Sequence, residues 1–189
     1  MCFHCGRRLS KWRASNAFIS RACGYLCHSR TVAARDGDGW VQCDCGSKHW
    51  GLHGAAGLLL VRDAMVLLQH RAPWVHNGDT WGIPGGARDS HEDVIQGALR
   101  EAVEETGLDP ALVSPVVVHE DNHGNWKYDT VIASASSNLV ARELNDESHE
   151  VRWVHIEKIE ELTLHPSFAA SWPQVKALLL NLNDLIDPV

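Results

Sequence analysis

The chain alternates irregularly up to about residue 50 and becomes patterned after it. Gly54 to Val61 is an apolar run and Ala64 to Leu68 is another, with Arg62-Asp63 between them. Short apolar runs bounded by turn residues predict two buried strands, with a hairpin turn or a short break between them. Trp74 to Thr80, with Asn77-Gly78-Asp79 inside it, predicts a loop, and Trp81-Gly-Ile-Pro84-Gly85-Gly86 leads out of it. Apolar residues then recur at helical spacing: Val94, Ile95, Ala98, Leu99 and Ala102 form one stripe. The pattern predicts a helix from about His91 to Thr106, with Ser90 as N-cap, Asp93 as its capping-box partner and Gly107 as the stop. Val113 to His119, Tyr128 to Ala135 and Val151 to Val154 predict strands. His119 to Lys127 predicts a polar loop, open between a substrate loop and a hairpin end. Ile156 to Leu164 reads as a short helix and turn, His165-Pro166 as the start of a loop, and Ser171 to Leu182 as a closing helix with Pro173 in its first turn.

Composition adds a division. The 189 residues, 44% hydrophobic and 22% charged, have an ordinary globular balance. Residues 1–50 hold eight Lys or Arg against three Asp or Glu, whereas the remainder holds nine against twenty-one. A basic head of 1–50 and an acidic body of 51–189 follow. The acidic body argues against a nucleic-acid groove and suits divalent cations. No apolar run approaches the ~18 residues of a transmembrane helix, and no apolar segment follows the basic residues Arg7 to Arg13 as in a signal peptide. A cytoplasmic address without membrane contact is therefore expected.

The helix carries the candidate chemistry. At about 100° per residue, Glu101, Glu104 and Glu105 share one face. Clustered carboxylates repel one another. Mg²⁺ relieves that repulsion, because it takes carboxylate and water oxygens and keeps positions open for phosphates. Arg100 can fix one carboxylate through a bidentate pair. Glu92 lies at the helix N-terminus, where the dipole favours negative charge. Gly85-Gly86 lets the backbone come close to a ligand or metal. A bare Arg-Glu-x-x-Glu-Glu is more often the pattern of a solvated acidic face.

The whole stretch is more restrictive. Gly86, Glu92, Arg100, Glu101, Glu104, Glu105, Gly107 and Leu108 match every fixed position of G-x5-E-x7-R-E-U-x-E-E-x-G-U, where U is a bulky apolar residue. The sequence thus resembles the Nudix hydrolase superfamily over roughly residues 51–180, with a box at 86–108. Ala102, small for the first U, is the one departure. The resemblance implies an α/β/α sandwich with a mixed β-sheet that hydrolyses a nucleoside diphosphate linked to another moiety. It implies Mg²⁺ or Mn²⁺ held by Glu101, Glu104, Glu105 and the Gly85 carbonyl, with Arg100 orienting Glu101 and Glu92 supporting the site. The general base it implies is Glu105 or a glutamate outside the box, Glu147 or Glu150, with Glu147 preferred. Subfamily marks of the NADH, ADP-ribose and coenzyme A types are absent or faint. By elimination the body looks like a MutT-type enzyme that cleaves a (d)NTP to monophosphate and pyrophosphate. An ADP-ribose or NADH-type dinucleotide pyrophosphatase is the alternative. A non-hydrolytic nucleotide sensor whose head binds nucleic acid or protein is the reading of another class. Candidate substrate-binding residues are Trp126, Trp74 and Arg71, the tryptophans because aromatic faces stack on bases. Oligomeric state stays open, a homodimer included.

All six cysteines lie within residues 2–45. In a cytosolic chain such clustering points to metal rather than to disulfides. Cys2-Phe-His-Cys5-Gly6 is a C-x-x-C-G knuckle, and Cys43-Asp-Cys45-Gly46 is its nearest partner, one residue short. Cys2, Cys5, Cys43 and Cys45 are the preferred structural Zn²⁺ ligands of a zinc-ribbon-like head. Cys23 and Cys27 form a rival knuckle, and His4 and His49 are substitutes.

Overall fold

The computed structural model describes residues 35–144 and 146–186, with side chains to residue 182. Cys2, Cys5, Cys23, Cys27 and His4 lie outside the described residues. Those that are described belong to a compact unit beginning at Ala34. Residues 35–50, placed in the head by charge and cysteine content, are part of it.

That segment forms a small antiparallel hairpin, β1 (Trp40–Gln42) and β2 (Lys48–Trp50), with Trp40 opposite Trp50 and Val41 opposite His49. Seven further strands make one mixed sheet. β3 (Ala55–Arg62) and β4 (Met65–Arg71) are the expected buried hairpin. Asp63 and Ala64 turn it at φ of 51° and 58°, the left-handed pair that suits the twist of a two-residue hairpin. β5 (Trp81–Gly82) pairs with β4, and β6 (Gly85–Ala87) pairs antiparallel with β3. β7 (Val113–Asn122) and β8 (Lys127–Ala135) form a long antiparallel hairpin, and β8 runs parallel to β3. β9 (Ser148–His155) lies against β4. The loop expected over His119 to Lys127 is thus mostly strand, because β7 continues to Asn122 and only four residues turn.

Two helices cover the two faces. Alternate side chains of β3 explain how: Leu58 and Leu60 pack with Ala98, Ala102 and Leu108 beneath α1 (Val94–Thr106), whereas Leu59 packs with Phe168, Trp172, Val175 and Leu179 of α2 (Pro166–Ile186). The molecule is the α/β/α sandwich expected. α1 begins later than Ser90. Asp93 is the N-cap, and Gln96 completes the capping box with it, at 2.8 and 3.0 Å. Ser90 is held elsewhere, donating to Asp36 at 2.5 Å. α2 begins earlier than Ser171. Pro166 takes the first helical position, and the His165 carbonyl accepts from Ala169 at 2.8 Å. Pro173 therefore lies within the helix, where its missing N–H leaves the Ala169 carbonyl without the usual donor.

Candidate active site

The buried stripe of α1 is rotated from the expected one. Ile95 is exposed, and Ala98, Ala102, Glu105 and Thr106 face inward. The rotation carries the three glutamates to graded depths. Glu105 is buried, the Glu101 side chain is 17% exposed, and Glu104 is 43% exposed. A row of carboxylates thus runs from the sheet to solvent.

The glycine turn receives the buried end. Gly85 donates its N–H to Glu105 at 2.9 Å. A Cβ on Gly85 would lie 2.5 Å from the Gly57 Cα and 2.6 Å from the Ala56 carbonyl oxygen, and one on Gly86 would lie 2.7 Å from the Glu101 carboxyl carbon. Two glycines are needed because the backbone touches β3 on one side and the carboxylates on the other.

Arg100 binds the parts together. It donates twice to Glu92, at 2.5 and 2.9 Å, to the Ala87 carbonyl at 2.8 Å and to Glu101 at 2.7 Å. The bidentate partner is Glu92 rather than a member of the helical cluster. Glu101 is oriented by the remaining guanidinium nitrogen, as expected of Arg100. Hydrogen bonding from Arg100 holds the Glu92 carboxyl below its ordinary range. Burial raises that of Glu101 despite Arg100. Burial first and the charge of Glu101 second push Glu105 up to about 8.

This donor set fits a hard divalent cation. Glu101, Glu104 and Glu105 offer hard oxygens at the rim of a backbone turn, and burial of the inner two disfavours their charge in the absence of a cation. The described cations nearest the cluster are Arg100 and Arg35. Arg35 reaches from the segment before β1 to pair with Glu104 and, at 3.1 Å, with Asp89. Reading the sequence did not find Arg35, since 69 residues separate it from Glu104 and nothing in its surroundings marks it.

The other expected residues separate. Trp126 is not an exposed base platform. It is 8% exposed, donates to the Gly51 carbonyl at 3.0 Å and stacks on His49 with centroids 4.1 Å apart. Its apolar ring closes a small cluster with Cys43 and Ala55. Trp74, by contrast, is 71% exposed in the turn after β4. Arg71 ends β4 and donates to the His76 carbonyl at 3.3 Å. Glu147 is exposed in the turn before β9, where its carbonyl accepts from Ala72 at 2.8 Å. Gln69, absent from the sequence reading, is fully buried and hydrogen-bonded to Glu105. Of the expected zinc ligands, Cys43 and Cys45 are described, as free thiols.

A NUDIX domain is matched over residues 51–175. The chain belongs to the Nudix hydrolase family. "Putative 8-oxo-dGTP diphosphatase 3" of Mycobacterium tuberculosis is 47% identical to this hydrolase over 154 residues, covering 75% of this chain and 70% of that protein. A nucleoside triphosphate pyrophosphatase/Nudix hydrolase fusion protein of Bifidobacterium longum is 41% identical over 152 residues, covering 76% of this hydrolase and 32% of the fusion. Among solved structures, the M. smegmatis Nudix hydrolase RenU is 45% identical, with a TM-score of 0.71 over 77% of this chain and 96% of that one. Membership makes the chain an enzyme that hydrolyses phosphorus-containing acid anhydrides. Among the described residues no helix is long and apolar enough to cross a membrane.

Proposed function

We propose that this Nudix hydrolase is a divalent-cation-dependent pyrophosphohydrolase that cleaves a nucleoside triphosphate to the monophosphate and pyrophosphate. The carrying observation is the graded row of Glu101, Glu104 and Glu105 against the Gly85-Gly86 turn, fixed through Arg100. Similarity to a mycobacterial protein named as an 8-oxo-dGTP diphosphatase supports an oxidised purine triphosphate as substrate. Glu101, Glu104, Glu105 and the Gly85 carbonyl would hold Mg²⁺ or Mn²⁺, which when bound neutralises charge on phosphate oxygens. Arg100 keeps Glu101 in one rotamer, and Glu92 keeps Arg100 in place. A water loses its proton to Glu105 or Glu147 as its oxygen attacks phosphorus, and the P–O bond to the pyrophosphate group breaks. Arg71 and the exposed face of Trp74 are the substrate contacts we assign, to phosphate and base respectively.

The test is turnover with Mg²⁺ on a panel of dNTPs, 8-oxo-dGTP, ADP-ribose, NADH and dinucleoside polyphosphates. Release of pyrophosphate from a triphosphate, with little turnover of the others, is the expected result. Preference for ADP-ribose or NADH would overturn the substrate, and binding without turnover would overturn the reaction. Glu147→Gln separates the two bases: a flattened acid limb of the pH–rate profile assigns the proton to Glu147, and an unchanged profile assigns it to Glu105.

A further inference from the structure

The hairpin β1–β2 carries a second constellation, remote in sequence from the Nudix box. The chain reverses tightly after β1: Gly46 donates to the Cys43 carbonyl at 3.0 Å, and Cys43 donates to that of Ser47 at 2.9 Å. This reversal gathers the Cys43 Sγ, the Cys45 Sγ and a ring nitrogen of His49 within 4.8 Å of one another. The Cys45 Sγ lies 3.1 Å from the His49 Nε2. The turn between β7 and β8 then supplies a fourth group. The Cys43 Sγ donates to the His123 carbonyl at 3.1 Å, and the His123 ring centroid is 4.7 Å from that of His49.

We propose that Cys43, Cys45, His49 and His123 form a structural Zn²⁺ site that clamps the β1–β2 hairpin to the β7–β8 turn. Two sulfurs and two imidazoles are a donor set that zinc takes in closed tetrahedral sites, at about 2.3 Å to sulfur and about 2.0–2.1 Å to nitrogen. The three hairpin ligand atoms lie within 4.8 Å of one another, and binding would draw them and the His123 ring together.

The surroundings are those of ligands rather than of stray thiols. His49 is fixed flat on Trp126, with an interplanar angle of 8°. His123 has its Nε2 3.2 Å from an Asp121 carboxylate oxygen, which leaves Nδ1 as the ligating nitrogen and provides the carboxylate–histidine pairing that orients metal-bound imidazoles. Hydrogen bonds between protein groups also register the two turns. Asp44 donates its N–H to the Asn125 side chain at 3.1 Å, and Asn125 returns a hydrogen bond to the Gln42 carbonyl at 3.2 Å. The set is complete without Cys2 or Cys5, unlike the ribbon that knuckle spacing suggested. It stands independently of the substrate reading, since none of its ligands belongs to the box.

The test is metal content of the full chain purified without chelator, by mass spectrometry, together with Co²⁺ substitution. Wild type is expected to carry about one Zn²⁺ per chain, and its Co²⁺ form to show tetrahedral d–d bands with thiolate charge transfer. Cys45→Ser and His123→Ala alter exposed or half-buried groups and leave the packed Cys43 in place. Both are expected to lose the ion and the bands, while Cys2→Ser/Cys5→Ser keeps both. Loss of zinc in the Cys2/Cys5 variant would overturn this ligand set, and so would full retention in Cys45→Ser. A wild type without zinc and without cobalt bands, or with a Cys43–Cys45 disulfide in its place, would overturn the site itself. Circular dichroism of each variant shows that loss of metal is read on folded protein.

Discussion

The acidic face of α1 and the β1–β2 hairpin are both held by dense hydrogen bonding, but at opposite ranges along the chain. On the helix, Arg100 reaches Glu92 over 8 residues and Glu105 reaches Gly85 over 20. In the hairpin, Cys43 meets His123 over 80 residues, Asp44 meets Asn125 over 81, and Trp126 meets Gly51 over 75. Reactive groups are thus placed by local geometry, which any sequence with the right spacing reproduces. The hairpin is placed by a fold that must exist first. The difference teaches where variation is tolerated: the helix keeps its chemistry as long as its own turn survives, and the hairpin keeps its position only while the whole sheet does.

Truncation of the residue that anchors the hairpin is expected to have the largest effect. Trp126→Ala empties the cluster around Cys43 and Ala55 and leaves the Gly51 carbonyl with only the Gly54 N–H as donor. A loss of about 3–5 kcal/mol in unfolding free energy is expected, measured by urea denaturation, with kcat in the remaining folded protein changed far less. A kcat loss as large as that of a box variant would dissolve the distinction between the two regions. Next come the carboxylates. Glu101→Gln and Glu104→Gln are each expected to lower kcat/KM by about 10²–10³-fold, the cost typical of removing one electrostatic contact to the reacting group. Stability should change little, because each stands apart from the apolar core. EDTA should abolish wild-type turnover and Mg²⁺ restore it.

How much could be read in advance follows the same division. The two helices, the β3–β4 hairpin and the approach of Gly85 to Glu105 and of Arg100 to Glu101 were legible, because periodicity and spacing are local properties. The start of α1 was missed because Ser90 and Asp93 are both good caps, and the choice was made by Asp36, 54 residues upstream of Ser90. The start of α2 was missed because a proline after His165 reads as a break as readily as a first turn. Trp126 was misjudged as a base platform because a tryptophan in a polar stretch gives no sign of the histidine that will cover it. Charge and cysteine content assigned residues 35–50 to a basic head, although Arg35 and Asp36 are fastened to the box.

Arg35 is where the two regions meet, and it offers a smaller and sharper comparison. Its guanidinium pairs with Glu104 and Asp89 while its side chain is 33% exposed. An ion pair so open to solvent contributes less than about 1 kcal/mol, so Arg35→Ala should barely move the unfolding midpoint. Yet Glu104 is one of the oxygens assigned to the cation, and Arg35 competes for it. The variant is expected to reach half-maximal activity at a lower Mg²⁺ concentration than wild type, by a few-fold, with kcat unchanged. A higher requirement would mean that Arg35 organises the carboxylates rather than screening them, and that the segment before β1 belongs to the catalytic apparatus after all.

The smallest effect expected comes from His165, again a long-range contact, since it meets Asn77 at 3.0 Å across 88 residues. Burial first, and the positive charges of Arg71 and His76 after it, lower its pKa from 6.5 to about 4. The folded state therefore resists a proton that the unfolded chain accepts. Stability from this group is complete above about pH 6.5, declines as pH falls toward 4, and changes no further below that. Partial exposure makes the effect modest. His165→Gln keeps a polar side chain beside Asn77 but removes the titration, so the difference in unfolding midpoint between pH 7.5 and 5 should shrink relative to wild type. An identical pH dependence in both proteins would show that the loop after β4 and the start of α2 are joined by shape alone, without the penalty that burial and then Arg71 place on a protonated His165.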